Sequence, residues 1–364
     1  MPSAKVHRIS AAAPDDTRGI EQAIDDGHID PAGIVAILGK TEGNGNVNDF
    51  TRGFATHALT LMLDKHLWSH ARDVCLVMSG GTEGAMAPHW VVLERTEGSG
   101  EHAASGRALA IGRAHTTALR PEQIGRPAQV DLVAAGVRAA MANAEISDPA
   151  DVHFVQIKCP LLTAQRIKDA QARRESVATR ETLKSMGLSR AASALGVAVA
   201  LGEIARDRIT AAAIGTDTDL WSARASASAG IELMHHEIVV LGMSERWSGP
   251  LAIDHAVMAD AIDIEPVRAA LARLGLAAPG QLAPEQSERV IAMLGKAEAS
   301  RDGMLRGHRH TMLDDSDISS TRHARAFVCG ALAALVGHAE IYVSGGAEHQ
   351  GPDGGGPVAI IVAR

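Results

Sequence analysis

The chain has 364 residues, more than one ordinary core needs, so two or three domains are expected. Hydrophobic residues make up 46% and charged residues 21%, a balance that excludes a disordered chain, and no apolar run reaches the roughly 18 residues of a membrane span. The net charge of −8 and an aromatic content of 2% speak against a nucleic-acid partner, which would need a basic face or stacking platforms. Residues 1–12 hold no long apolar stretch, so no signal peptide is expected, and the cytoplasm is the expected compartment. Three isolated cysteines, Cys75, Cys159 and Cys329, fit neither a disulfide framework nor a Cys-rich zinc site.

Taken in chain order, the predicted elements repeat three times, with a period of roughly 100–140 residues. The first unit opens with a strand at 6–9 and a helix at 17–24. An apolar strand at 34–38 then leads through Gly39 to Lys40. Arg52 lies near the start of a helix at 51–63, the cluster Ser79-Gly80-Gly81-Thr82-Glu83 follows, and a strand at 90–93 closes the unit. The second unit runs through a strand at 108–111, a helix at 130–144 and a strand at 152–157 that ends in Lys158. Arg190, a helix at 191–204, Ser226-Ala227-Ser228 and a strand at 237–241 complete it. The third opens with a strand at 251–253. In its helix at 267–274, Val267, Leu271 and Leu274 recur at helical spacing. A strand at 290–294 then leads to Lys296, followed by Arg322, a helix at 324–335, Ser344-Gly345-Gly346-Ala347-Glu348 and a strand at 358–362.

The order Lys, Arg, Ser thus recurs three times around strand ends and helix starts. The spacings are unequal, which predicts an old triplication and not a solenoid. Gly/Ser/Pro punctuation near 98–106 and 248–250 divides the chain into repeat units 1–104, 105–249 and 250–364.

Several motifs have bland readings. Gly39-Lys40-Thr41 lacks the glycine spacing of a phosphate loop, because a buried strand precedes it. No Gly-x-Ser-x-Gly elbow is present, and His235-His236-Glu237 is not a His-Glu-x-x-His pair. Asp314-Asp315-Ser316-Asp317 lacks the spacing of a calcium loop and reads as the cap of the following helix. The Ser-Gly-Gly clusters read either as tight turns or as backbone donors beside a hydroxyl that hold a carbonyl or an anion. Two near-copies, each with a Glu four residues after the Ser, favour the second reading. A lysine at the end of an apolar strand has a depressed pKa and can act as a base toward a serine. Glu42 follows Lys40 and Glu298 follows Lys296 by two residues, whereas Lys158 has no acid nearby in sequence. That contrast points to the second unit as the reactive one.

These strings resemble the cyclic amide hydrolase family of cyanuric acid hydrolases and barbiturases over essentially the whole chain. The resemblance rests on residues 39–45, 48–52, 78–84, 153–163, 225–230, 310–313, 319–325 and 342–352, and the third-unit strings are more like the cyanuric acid branch. It implies an α/β architecture of three structurally similar units with threefold pseudosymmetry around one central active site. It also implies hydrolytic ring opening of cyanuric acid to carboxybiuret by a Ser–Lys dyad, mapped onto Ser226 and Lys158, with a barbiturase opening barbituric acid as the alternative. The substrate-holding set maps onto Arg52, Ser79, Gly80, Arg190, Ala227, Arg322, Ser344 and Gly345, with Lys40 and Lys296. No organic cofactor is implied. A structural divalent cation, Mg²⁺ or Ca²⁺, maps onto Glu298 and the backbone of Ala347, Gln350, Gly351, Pro352 and Gly355. The expected partners are a small cyclic imide and further copies of the chain in a homotetramer, without membrane or nucleic acid. A non-catalytic binding protein and a metal-dependent amidohydrolase are the rival classes; the intact Lys and Ser oppose the first and the missing histidine pattern the second.

Overall fold

The computed structural model describes residues 1–98 and 106–364. Three four-stranded sheets form its framework. The first is made of β1 (Pro2–Ser10), β2 (Ile34–Thr41), β3 (Cys75–Gly80) and β4 (His89–Glu97). The second uses β5 (Ala108–His115), β6 (Val152–Pro160), β7 (Ala225–Gly230) and β8 (Glu237–Ser244). The third uses β9 (Leu251–Met258), β10 (Val290–Ala297), β13 (Tyr342–Gly345) and β14 (Gly356–Ala363); a small separate hairpin, β11 (Met304–Leu305) with β12 (His308–Arg309), interrupts its sequence.

All three sheets have one strand order: first, fourth, second, third. The fourth strand runs antiparallel to the first and second, while the second and third are parallel. The register shift at the start of the second strand also recurs, at Ile34/Ala36, Val152/Phe154 and Val290/Ala292. A parallel pair requires a crossover. It is supplied by α2 (Phe50–Leu67) in the first unit, α4 (Ala164–Ala172) with α5 (Thr182–Ala200) in the second, and α8 (Ser320–Val336) in the third. The helices α1 (Arg18–Asp25), α3 (Pro127–Asn143) and α6 (Glu265–Arg273), with short α7 (Pro284–Glu288), link first to second strands. The second strands are buried throughout or nearly so, which is why they read as unbroken apolar runs and not as alternating ones.

Two expectations need correction. Helix α5 starts at Thr182, not 191, because the polar residues before Arg190 spend their hydroxyls inside the protein: Ser185 accepts from the Leu162 N–H and Ser189 from Gln129. Arg190 is therefore a mid-helix residue. The Asp314–Asp317 cluster does not cap α8. Ser319 is the N-cap, and Asp315 instead accepts from the Asp317 and Ile318 N–H groups and meets His323 at 2.9 Å. The first expected unit boundary, at 104/105, involves residues outside the described ones. Among the described residues no helix is long and apolar enough to cross a membrane.

Candidate active site

Each second strand ends in a buried lysine, and the three ammonium groups converge where the sheets meet. The register places Lys40 beside Ser79, Lys158 beside Ser228, and Lys296 beside Ser344. Each lysine donates to the carbonyl of the residue preceding another unit's serine. Lys40 Nζ lies 2.9 Å from Val343 O, Lys158 Nζ 3.0 Å from Met78 O, and Lys296 Nζ 3.0 Å from Ala227 O. The three bonds form a closed ring of contacts between units.

That ring sets Ser228, and not the expected Ser226, beside Lys158. Ser226 is fully buried, pairs in register with Gln156, and its Oγ has no hydrogen-bond partner. Ala227 is also unavailable, since its N–H is committed to Gln350 Oε1 at 2.6 Å and its carbonyl to Lys296. Strand neighbours two residues apart share a face, so Ser226 points the same way as Ser228 but lies one pleat deeper. The pair at the pocket is Ser228-Ala229, equivalent to Ser79-Gly80 and Ser344-Gly345; all six residues line one small central pocket. A sequence signal for this existed: Ser228 has Glu232 four residues on, as Ser79 has Glu83 and Ser344 has Glu348.

The three glutamates organise the arginines. Arg52 Nε lies 3.7 Å from Glu232, Arg190 makes a two-pronged pair with Glu348 at 2.6 and 2.8 Å, and Arg322 Nε donates to Glu83 at 3.0 Å. Each pair again crosses between units. The third pocket arginine nevertheless differs from expectation. Arg322 is partly exposed and outside the pocket lining, whereas buried Arg325 lines it and also donates to Glu83. On α8, residues three apart share a face, so both reach one carboxylate from different depths. Gly81 and Gly346 have φ of 98° and 77°, and a Cβ on either would strike Arg325 or Arg190. The turn geometry and the close guanidinium both require glycine.

The lysines are not equivalent. Lys40 Nζ is 3.3 Å from Ser79 Oγ and Lys296 Nζ is 3.2 Å from Ser344 Oγ, which in turn is 3.1 Å from Ser228 Oγ. Burial lowers all three pKa values: Lys40 well below the usual lysine range, Lys296 to about 7, and Lys158 also downward. At Lys158 the carboxylate of Glu232, 3.4 Å away, opposes the effect of burial. Burial would raise the Glu232 pKa, but Lys158 and Arg52 outweigh it and hold the carboxylate ionised. The expectation that Lys158 alone lacks an acid is thus reversed. Glu42 is exposed, and Glu298 spends one oxygen on the Ala347 N–H. The chain fold, not sequence proximity, delivers the acid to Lys158.

Of the expected cation ligands, Glu298, Ala347, Gly351 and Pro352 line one small cavity, while Gln350 and Gly355 are not part of its wall. Glu298 Oε2 accepts from the Ala347 N–H at 2.7 Å. Burial, reinforced by the nearby Glu348, pushes its pKa up to about 7. A buried carboxylate crowded by a second one, in a cavity walled by the turn at 351–354, fits a hard cation.

The model of the amidohydrolase ring-opening protein family matches residues 5–363. Cyanuric acid amidohydrolase of Azorhizobium caulinodans is 65% identical over 364 residues, covering 100% of this chain and 99% of the relative. The enzyme of the same name from Bradyrhizobium sp. strain ORS 375 is 62% identical, covering 99% and 98%. A crystal structure of the A. caulinodans cyanuric acid hydrolase superposes with a TM-score of 0.93 at 63% identity, covering 100% of this chain and 99% of that one. A second cyanuric acid hydrolase structure, described as an evolutionary innovation by structural concatenation, gives 0.96 at 47% identity with both chains fully covered. The chain belongs to the family of ring-opening amidohydrolases, hydrolases that act on the C–N bonds of cyclic amides.

Proposed function

We propose that this enzyme opens the ring of cyanuric acid through Lys158 and Ser228. The observation that carries the substrate is the pocket's threefold set of Ser, Lys and Arg, which matches a flat ring with three equivalent carbonyls and three ring N–H groups. The names of the full-length relatives support the same substrate.

The reaction begins from the deprotonated fraction of Lys158, which burial enlarges and Glu232 limits, taking the proton of Ser228 Oγ. Glu232 stabilises the ammonium that forms, as a base is generally oriented by a third group. Lys158 and Ser228 are direct partners in the β6–β7 register without a hydrogen bond between them, and such contacts commonly tighten only with substrate. Ser228 Oγ attacks one ring carbonyl, and the arginines and backbone donors stabilise the oxyanion, a contribution of about 3–4 kcal/mol per well-placed donor. The ring C–N bond breaks, the leaving nitrogen receives a proton from Lys158, and an acyl-enzyme results. Water then releases carboxybiuret, which loses CO₂ to give biuret. Lys40 with Ser79 and Lys296 with Ser344 hold the two carbonyls that do not react. Ser228 is assigned the attack because its lysine alone among the three forms an ion pair with a carboxylate.

A Mg²⁺ or Ca²⁺ ion held by Glu298 and the carbonyls of Ala347, Gly351 and Pro352 would brace the loop that follows Ser344, and its role is structural. Assembly into a tetramer is supported by apolar side chains left exposed on α2: Phe50, Phe54 and Leu61. Parallel turnover of cyanuric and barbituric acid by the purified protein tests the substrate. Biuret and CO₂ from cyanuric acid alone are expected. Opening of barbituric acid instead would move the enzyme to the barbiturase branch, and opening of neither would leave a binding protein.

A further inference from the structure

We propose that His115, His235 and Glu237 form a binding site for a borderline divalent cation such as Zn²⁺, Co²⁺ or Ni²⁺, separate from the central pocket and from the Glu298 loop. The backbone brings these residues together. His115 ends β5, Glu237 begins β8, and the two are direct partners in the antiparallel ladder. His235 lies in the bend just before β8, two residues ahead of Glu237, and its ring comes to the same side as the Glu237 carboxylate. His236, between them, turns the other way and is buried against Thr116 and Gln129 at 3.0 Å each. One donor atom from each of His115, His235 and Glu237 lies within 4.8 Å of the others. Ligands about 2.0–2.2 Å from a tetrahedral ion sit about 3.5 Å apart, so modest side-chain rotation closes the set.

The surroundings hold the donors in place. The Leu76 N–H of a neighbouring unit donates to Glu237 Oε2 at 2.8 Å, which leaves the other carboxylate oxygen for a cation. Lys158 is the direct partner of Glu237 in the β6–β8 ladder and favours its ionised form from a distance, without an ion pair among the described residues that would occupy the free oxygen. Cys75 Sγ lies 3.7 Å from His115 Nε2 and steadies that ring. The two imidazoles are tilted by 50° with centroids 5.8 Å apart, so they are not stacked on each other. His115 is exposed, which provides a path for a hydrated ion. Two imidazoles and one carboxylate select borderline transition ions over Mg²⁺ or Ca²⁺, and three protein ligands leave one position for water.

The test uses the full-length protein, stripped by chelator and then kept in excess Mg²⁺ so that any hard-cation loop is filled. Co²⁺ is titrated and followed by equilibrium dialysis and by its visible absorption. The wild type is expected to take up one Co²⁺ per chain with the intense bands of a four-coordinate ion. His115→Ala and His235→Ala are each expected to weaken that uptake more than about tenfold, with circular dichroism and ring-opening activity showing that both variants fold. No such uptake by the wild type, or equal uptake by the variants, would overturn the proposal.

Discussion

Replacing Ser226 and Ser228 separately by alanine distinguishes two hydroxyls that lie one pleat apart on β7. Ser226 Oγ is buried without a partner. A buried hydroxyl that makes no hydrogen bond bears its desolvation cost uncompensated, about 1–3 kcal/mol. Ser226→Ala should therefore leave stability unchanged or raise it by about 1 kcal/mol, with turnover within a few-fold of wild type. Ser228 Oγ donates to or accepts from Ser344 Oγ at 3.1 Å, so Ser228→Ala should cost about 1 kcal/mol of stability. Its effect on catalysis is far larger. Loss of a nucleophile that acts as a unit with its base typically removes on the order of a millionfold in kcat. Urea unfolding gives the stabilities, and biuret formation gives the rates. An inactive Ser226→Ala enzyme with a normal fold, beside an active Ser228→Ala enzyme, would refute the reasoning.

Three further outcomes follow from the same contacts. Glu232→Gln removes the charge that supports the Lys158 ammonium, so the Lys158 pKa falls further and the acid limb of the kcat/KM profile moves to lower pH; an unmoved or higher limb would contradict that role. Arg190→Met leaves the buried Glu348 carboxylate without its two-pronged partner and should cost about 3–5 kcal/mol in urea unfolding, whereas a loss under 1 kcal/mol would show that water reaches the carboxylate. Mg²⁺ or Ca²⁺ should raise the Tm of chelator-treated wild type and leave Glu298→Gln unaffected; an equal rise in both would place the ion elsewhere.

The threefold recurrence of elements along the chain was legible in the sequence because the second strands are buried along nearly their whole length and carry a lysine at their far end. Apolar runs ending in a charge stand out regardless of the tertiary setting. The serine of the second unit was harder to place. Ser226 and Ser228 share a strand face, so composition cannot separate them, and only the register with Lys158 or the glutamate four residues on does. Arg322 and Arg325 pose the same problem on a helix, where both positions reach Glu83 and only depth distinguishes the pocket arginine. The Lys158–Glu232 pair had no local signature, since the acid arrives through the strand-to-loop turn after β7. The start of α5 was hidden by serines that look like loop residues but hydrogen-bond to buried partners.

The central claim is that Lys158, alone of the three lysines, moves the proton in ring opening. Its most direct test is single-turnover opening of cyanuric acid at saturating enzyme, comparing Lys158→Met with wild type. The account predicts that Lys158→Met binds the ring but forms biuret more than about a thousandfold more slowly, the upper contribution of a general base being about 10²–10⁴-fold. Biuret formation by Lys158→Met at a rate within tenfold of wild type would contradict it.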